Sequence, residues 1–85
     1  MTKIWSDEAW DDYMYWHTQD RKTVNHINRL IKSIDRNAFD GIGKPEPLKH
    51  NYQGFWSVRI DETNRLVYRI QNDELYIISC RYHYN

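Results

Sequence analysis

Cysteine is almost absent from the sequence, and this excludes two kinds of site. The single thiol, Cys80, can form no internal disulfide, and one thiol cannot build a cysteine-based metal site. No apolar run is long enough to cross a membrane, and the N-terminal MTKIWSDEAW lacks the apolar stretch of a signal peptide. We therefore expect a soluble, cytoplasmic protein with no membrane partner.

Glycine and proline are also scarce. The chain has three glycines and two prolines among 85 residues, with no internal repeat and no linker rich in small or polar residues. Residues 1–85 are therefore predicted to form a single domain. A chain of this size buries only about 60% of the surface that it exposes when unfolded. Because 15% of the residues are aromatic, we expect the core to rely on rings.

The net charge is zero, but the charges are unevenly distributed along the chain. Residues 1–20 hold five acidic side chains and one basic side chain, whereas residues 21–36 hold five basic side chains and one acidic. A polyanion meets local charge rather than the total. The zero net charge therefore does not exclude a nucleic-acid partner.

Hydrophobic periodicity predicts the order β-α-α-β-β-β. TKIW is β-prone, and Ser6 is a predicted N-cap for the helix DEAWDDYMYWHTQ, in which Trp10, Tyr13, Met14 and His17 recur at helical spacing. Asp20 can cap a second helix, and the two helices are predicted to form a hairpin. The apolar residues of the second helix are Val24, Ile27, Leu30, Ile31 and Ile34. GFWSVRI, RLVYRI and ELYIISCRYHY then indicate three strands that tight turns should pair antiparallel.

Alternation along these strands divides them into two faces. The even positions are mostly apolar and are predicted to face the helices: Trp56, Val58, Ile60, Leu66, Tyr68, Ile70, Tyr76, Ile78 and Cys80. The odd positions place polar groups on the opposite face: Ser57, Arg59, Arg65, Arg69, Ser79, Arg81 and His83. Guanidinium groups suit phosphate oxygens, and unpaired RNA fits such a face better than duplex DNA. The alternative is that these arginines only keep an exposed sheet face soluble.

GKPEPLKH is a second unusual stretch. Pro45 and Pro47 fix their own backbone and push the residues before them toward extended conformations, so Lys44 and Glu46 are predicted to lie on a stiff, non-helical segment. A rigid carboxylate followed closely by Lys49 is a candidate general base beside a phosphate anchor. A structural loop with a solvated glutamate is the competing interpretation. The spacing of His, Cys and Asp residues indicates no metal site.

The terminal SCRYHYN holds the third candidate. The unperturbed pKa of histidine, near ~6.5, lets His83 exchange protons at neutral pH, although a histidine this close to a chain end is more often inert. Tyr82 and Tyr84 on either side favour an ordered tail, because alternation would anchor Tyr82 in the core and direct His83 towards the arginines.

The stretches KIWSDEAWDDYMYW, GKPEPLKH, GFWSVRIDETNRLVYRI and CRYHY closely resemble the YoeB toxins of the RelE superfamily, the toxic half of YefM–YoeB toxin–antitoxin pairs. The resemblance covers essentially the whole chain. It implies a small α+β fold with an N-terminal helical hairpin packed on a curved antiparallel sheet. It also implies a ribosome-dependent mRNA endonuclease that cuts the A-site codon, and so inhibits translation, with no metal or other cofactor.

The resemblance assigns roles residue by residue. Glu46 matches the general base of the family, Arg65 its phosphate-binding arginine and His83 its general acid. Lys49, Arg59 and Tyr84 match supporting positions of the active site. The implied partners are a YefM-like antitoxin, the ribosome and its mRNA, a second copy in a homodimer, and operator DNA through the antitoxin. The alternative function is a non-catalytic module that docks its antitoxin or another protein, or acts with the antitoxin as a co-repressor.

Overall fold

Two helices pack on one face of a five-stranded mixed sheet in the computed structural model, which describes residues 1–82. In chain order the elements are β1 (Thr2–Trp5), α1 (Asp7–Gln19), α2 (Arg21–Arg36), β2 (Glu46–Pro47), β3 (Trp56–Arg59), β4 (Arg65–Gln71) and β5 (Glu74–Ser79). The strand order across the sheet is β1-β5-β4-β3-β2, with β1 parallel to β5 and every other pairing antiparallel. The predicted fold is confirmed. The short strand β2 and the parallel pairing of β1 are features that periodicity did not indicate.

The helices begin where the sequence places their caps. Ser6 Oγ accepts a hydrogen bond from the Ala9 amide at 3.0 Å, and an Asp20 carboxylate oxygen accepts one from the Lys22 amide at 3.1 Å. These bonds satisfy backbone donors that the first turn of a helix leaves free. Neither helix of the described chain is long and apolar enough to cross a membrane.

The helices bury the predicted apolar face in α2 but a different face in α1. All five predicted apolar residues of α2 are buried. In α1 the buried side chains are Ala9 and Trp16, whereas Trp10 is 47% exposed and Met14 is 38% exposed. The side chains of α1 that were predicted from helical spacing lie at the edge of the core. Their rings pack on one another and on Trp5, whose ring centroid is 5.7 Å from that of Trp10.

The faces of the sheet follow the predicted alternation in β3 and β4 but not in β5. Val58, Leu66 and Tyr68 are buried against the helices, as predicted. In β5 the core residues are Leu75 and Ile77, so the prediction for Tyr76 and Ile78 was wrong. The cause is a β-bulge: Val67 pairs with Ser79 while the next residue, Tyr68, pairs with Ile77. β5 therefore has one more residue than β4 at this point. Before the bulge its odd-numbered side chains face the helices, and after the bulge they face the other side of the sheet.

The face of the sheet away from the helices is called the open face below. It carries Glu46, Ser57, Arg59, Arg65, Val67, Arg69, Tyr76 and Ser79, as the register of the strands shows. Three of these, Ser57, Val67 and Ser79, are almost completely buried at its centre. The charged members lie around them, on three adjacent strands.

Candidate functional site

An ion pair between Glu46 and Arg65 lies on the open face. Arg65 Nη1 donates to Glu46 Oε1 at 2.8 Å and to Ser57 Oγ at 3.2 Å. The three residues come from β2, β3 and β4, and Ser57 is the direct cross-strand neighbour of Glu46. The structure thus brings together the predicted base and the predicted phosphate ligand, which are 19 residues apart in sequence.

This ion pair is accessible from solvent. The Glu46 side chain is 56% exposed and the Arg65 side chain is 21% exposed. Ion pairs between solvent-exposed side chains contribute only about 0–1 kcal/mol to stability. A competing anion could therefore displace the carboxylate from Arg65 at little cost.

Strand β2 is held against β3 by the turn that precedes it. Gly43, at φ +81°, and Lys44, at φ +53°, both have left-handed backbone, and the Gly43 carbonyl accepts a hydrogen bond from the Arg59 amide at 2.8 Å. A Cβ on Gly43 would lie 2.8 Å from Leu30 Cδ2, so the turn packs directly on α2. On the far side of β2, the Leu48 amide donates to the Phe55 carbonyl at 2.9 Å. Glu46 is thus supported from both ends. The extended backbone predicted before the two prolines is present at Glu46, which lies in β2, but the prediction for Lys44 was wrong.

The two predicted supporting cations that the structure describes occupy different positions. Arg59 is the cross-strand neighbour of Arg65 and is exposed on the same face. Lys49 follows β2, just before the short 3₁₀ helix His50–Tyr52, and its side chain makes no hydrogen bond or ion pair with residues 1–82. Arg59 therefore extends the cationic surface around Arg65, and Lys49 lies in the connection beside it.

The tail is anchored first at Cys80. The Cys80 carbonyl accepts a hydrogen bond from Trp16 Nε1 at 2.8 Å, and its amide donates to Asp12 Oδ2 at 3.0 Å. Burial and the nearby Asp12 charge raise the pKa of the Cys80 thiol to about 12, so it stays protonated at neutral pH. Burial also raises the pKa of Asp12, against the hydrogen bond from Cys80.

A second anchor holds Tyr82 beside Arg65. The Tyr82 amide donates to Asn64 Oδ1 at 2.7 Å, and the Tyr82 carbonyl accepts from the Arg65 amide at 2.8 Å. The Asn64 side chain is held in turn by its Nδ2, which donates to both carboxylate oxygens of Asp61 at 3.1 Å. Tyr82 itself is 62% exposed, so the prediction that it enters the core was wrong. His83 and Tyr84 lie outside the described residues.

Arg81 does not join the arginines of the open face. Its guanidinium carbon lies 3.5 Å from the ring centroid of Tyr15 in α1 and 4.6 Å from that of Tyr82. The alternation that placed Arg81 with Arg59 and Arg65 does not extend this far, because β5 ends at Ser79.

Sequence reasoning gave no role to Ser57 or Asn64. Ser57 appeared only as a polar position in an alternating strand, and Asn64 only as part of a turn. Their contacts depend on the register between strands and on where the tail crosses the β3–β4 turn. The one local signal was the turn sequence DETN, which is typical of side chains that bind nearby backbone.

The family model of the YoeB-like toxin of the bacterial type II toxin–antitoxin system matches residues 5–84. Toxin YoeB of Escherichia coli (strain K12) is 58% identical over 84 residues, which are 99% of this chain and 100% of the relative. Toxin YoeB of Streptomyces coelicolor is 51% identical over 84 residues, which are again 99% of this chain and 100% of the relative.

Three solved structures share the fold over 99% of this chain. The YoeB/ParE toxin from Agrobacterium tumefaciens has a TM-score of 0.96 at 44% identity, with all of that chain covered. The YoeB dimer and the YoeB–YefM complex, both from Staphylococcus aureus, have TM-scores of 0.92 at 48% and 47% identity, with 98% of each chain covered. The chain therefore belongs to the YoeB-like toxins of bacterial type II toxin–antitoxin systems.

Proposed function

We propose that this toxin is a ribosome-dependent mRNA endonuclease that inhibits translation by cutting the codon in the ribosomal A site. The observation that carries the proposal is the contact between Glu46 and Arg65 on the open face. It joins a group that can accept a proton to a group that can bind a phosphate. The neighbouring cations Arg59 and Lys49 suit a polyanionic substrate.

The proposed reaction is a transesterification within the RNA strand. Glu46 takes the proton of a ribose 2′-hydroxyl, and the freed oxygen attacks the adjacent phosphorus while the bond to the 5′-oxygen breaks. His83 protonates that leaving oxygen, and Arg65, Arg59 and Lys49 stabilise the charge on the phosphoryl oxygens. Tyr84 supports the site. The products are a 2′,3′-cyclic phosphate and a 5′-hydroxyl, and the reaction needs no metal or other cofactor.

The ion pair gives this chemistry a resting state. Before RNA binds, Glu46 and Arg65 neutralise each other at a solvent-accessible position. A phosphate offers the guanidinium two oxygens in a matching geometry and competes with the carboxylate. Binding of the substrate would therefore release Glu46 at the moment when its role as a base begins.

The anchored tail supports the assignment of His83 as the acid. The described chain ends at Tyr82, and its carbonyl is hydrogen bonded to the amide of Arg65, the proposed phosphate ligand. His83 is the next residue in the sequence. The acid is thus joined directly to a peptide group that is held at the site.

The proposed partners follow from the relatives. The solved YoeB–YefM complex supports a YefM-type antitoxin, and the solved YoeB dimer supports a homodimer. Operator DNA would be contacted through the antitoxin. Residues 1–85 would act as one domain in the cytoplasm, where ribosomes provide the substrate.

Primer extension on a defined mRNA in a purified translating system tests the proposal. The protein should cut at A-site codons only when ribosomes are present. Glu46→Gln and His83→Ala should each lower the cleavage rate by about 10²- to 10⁴-fold. Glu62→Gln is the matched control, because Glu62 is an exposed acid in the β3–β4 turn, and its rate should not change.

Two results would contradict the proposal. Undiminished cleavage by a folded Glu46→Gln or His83→Ala variant would remove the acid–base mechanism. If the intact protein bound ribosomes but cut no mRNA, the open face would be a docking surface, and the non-catalytic function would replace the endonuclease.

A further inference from the structure

Arg69 is an arginine of the open face to which the proposed chemistry gives no role. It lies on β4 four residues after Arg65, on the same face, and its cross-strand neighbour is Tyr76. At a rise of about 3.4 Å per residue, the two arginines are roughly 14 Å apart along the strand. This distance is too long for both to bind the same phosphate group.

Two aromatic rings hold the Arg69 guanidinium in place. Its central carbon lies 5.3 Å from the ring centroid of Phe55 and 5.4 Å from that of Tyr76. Both distances are within the range of cation–π attraction, which favours a fixed orientation of the charge. Tyr76 is itself oriented by a hydrogen bond that its hydroxyl donates to Glu74 at 3.1 Å.

The charge of Arg69 is fixed but not neutralised. Unlike Arg65, it forms no hydrogen bond or ion pair with any residue from 1 to 82. Its Nε is buried without a hydrogen-bond partner among residues 1–82, and so is the Oγ of Ser79, which is 0% exposed. Ser79 is the cross-strand neighbour of Val67, between the two arginines on the same face. Most buried polar atoms in proteins have partners, so residues 1–82 leave hydrogen-bonding capacity unused in this part of the open face.

We propose that Arg69, fixed by Phe55 and Tyr76, is a second phosphate subsite for single-stranded RNA. It binds the phosphodiester of a nucleotide that flanks the cleaved one, while Arg65 binds at the cleaved position. The inference rests on the proposed function, because it extends the path of the same RNA strand along β4. It adds binding along the strand and takes no part in proton transfer.

Direct binding tests this subsite without requiring catalysis. The probe is a single-stranded RNA oligonucleotide that carries a 2′-deoxy sugar at the cleaved position, so that it cannot react. Its affinity is measured over a series of salt concentrations for the intact protein, Arg69→Ala, Arg69→Lys and Arg36→Ala. Arg36 is the control, because it is an exposed arginine at the end of α2, away from the open face.

We expect Arg69→Ala to weaken binding and to lower the slope of log affinity against log salt by about 0.7, the value for one phosphate contact on a single strand. Arg69→Lys should keep most of the salt slope, because it keeps the charge. Arg36→Ala should bind like the intact protein. If Arg69→Ala and Arg36→Ala had the same affinity and slope, the subsite would be overturned.

Neutral phosphates in the probe provide a test that needs no mutation. Replacing the flanking phosphates one at a time with methylphosphonate should weaken binding to the intact protein at one position, and that position should make no difference in Arg69→Ala. Equal sensitivity of both proteins at every position would contradict the subsite.

Arg65→Ala separates failure of this inference from failure of the proposed function. Loss of binding in Arg65→Ala but not in Arg69→Ala would leave the endonuclease intact and remove the subsite. If the intact protein did not bind the probe at all, the subsite would fail, whereas the ribosome-dependent endonuclease would still be decided by primer extension with ribosomes.

Discussion

The two faces of the sheet are built from the same strands, but they differ in burial and in whether their polar side chains have hydrogen-bond partners. On the helix side, Val58, Leu66 and Tyr68 are completely buried, and the Tyr68 hydroxyl donates to the Ala38 carbonyl. Burial raises the pKa of Tyr68 to about 12, so this hydroxyl remains a donor at neutral pH. The open face instead carries an exposed ion pair and buried polar atoms that have no partner in the described part of the chain.

The difference shows how a very small protein can separate stability from function. Apolar burial is the main stabilising term in folding, and here it lies almost entirely between the helices and one face of the sheet. The other face can then hold charges in an arrangement that contributes little to stability. Substitutions on the helix side should therefore mainly lower the free energy of unfolding. Substitutions on the open face should mainly lower the cleavage rate.

Among the substitutions that compare the two faces, Arg65→Ala on the open face should cause the largest loss of activity. Removal of the phosphate ligand should lower the rate of mRNA cleavage by about 10²- to 10³-fold, or about 2.7–4 kcal/mol in transition-state stabilisation. The free energy of unfolding should fall by only about 1–2 kcal/mol, because the exposed ion pair contributes little and the other loss is one hydrogen bond to Ser57. Primer extension and denaturant unfolding measure the two quantities. A large loss of stability with little loss of cleavage would reverse the assignment of the face.

Leu66→Ala, at the next residue of β4, tests the opposite face. The Leu66 side chain packs in the core against the helices and is 0% exposed. Its truncation should therefore lower the free energy of unfolding by about 2–5 kcal/mol. The fraction that remains folded should cut mRNA at nearly the normal rate. Denaturant unfolding, together with cleavage per folded molecule, provides the comparison. Unchanged stability would show that the core lies elsewhere.

Gly43→Ala tests how the turn before β2 holds Glu46. The new Cβ would contact Leu30 Cδ2 at 2.8 Å and Val58 Cβ at 3.1 Å, at a backbone angle that disfavours side chains. We expect a loss of about 1–3 kcal/mol in unfolding free energy, accompanied by slower cleavage. Gly54→Ala is the control: Gly54 also has positive φ, +97°, but a Cβ there meets no atom of the described residues within 4 Å. Equal losses in the two variants would mean that backbone strain alone matters.

The smallest effect concerns two aspartates near the tail whose pKa values shift in opposite directions. Burial raises the pKa of Asp61, but hydrogen bonds from Asn64 and Thr63 outweigh it and lower the pKa below the usual value. Asp61 therefore contributes stability above its unfolded pKa of about 3.9, and this is lost as pH falls through the lower folded pKa. The raised pKa of Asp12 has the opposite sign: ionisation of Asp12 lowers stability as pH rises through its folded pKa.

Asp61→Asn should therefore make the loss of stability in acid shallower, whereas Asp12→Asn should make it steeper. Unfolding free energies measured from neutral pH down to about pH 3 test both signs. The same slope in both variants would contradict the assignment of these shifts.

The features that depend only on residues close together in the sequence could be predicted from it. Ser6 and Asp20 lie at the starts of the helices because a cap acts within one turn. The buried face of α2 follows from its period, which is regular over the whole helix. The buried face of α1 was missed because large aromatic residues outside the core follow the same period.

The features that depend on pairing between distant strands could not be derived from the pattern. One extra residue at the bulge reverses the faces of β5, and no local signal in ELYIIS marks it. Arg81 leaves the predicted face because the strand ends two residues earlier. The pattern did mark Glu46, Arg65 and His83 as candidates, but it left non-functional alternatives open, and their specific roles came from the family resemblance. The structure adds that Glu46 and Arg65 are in contact, with Ser57 bonded to the same guanidinium.

The chemistry of the RNA ends is the most direct test of the account. An mRNA cut by the protein on ribosomes would be analysed for its new termini, beside an otherwise identical mRNA with a single 2′-deoxy sugar at the cleaved position. We predict a 2′,3′-cyclic phosphate or 3′-phosphate with a 5′-hydroxyl on the first mRNA, and no cleavage of the second, because its attacking oxygen is missing. A 3′-hydroxyl with a 5′-phosphate, or cleavage at the 2′-deoxy position, would contradict the roles of Glu46 and Arg65.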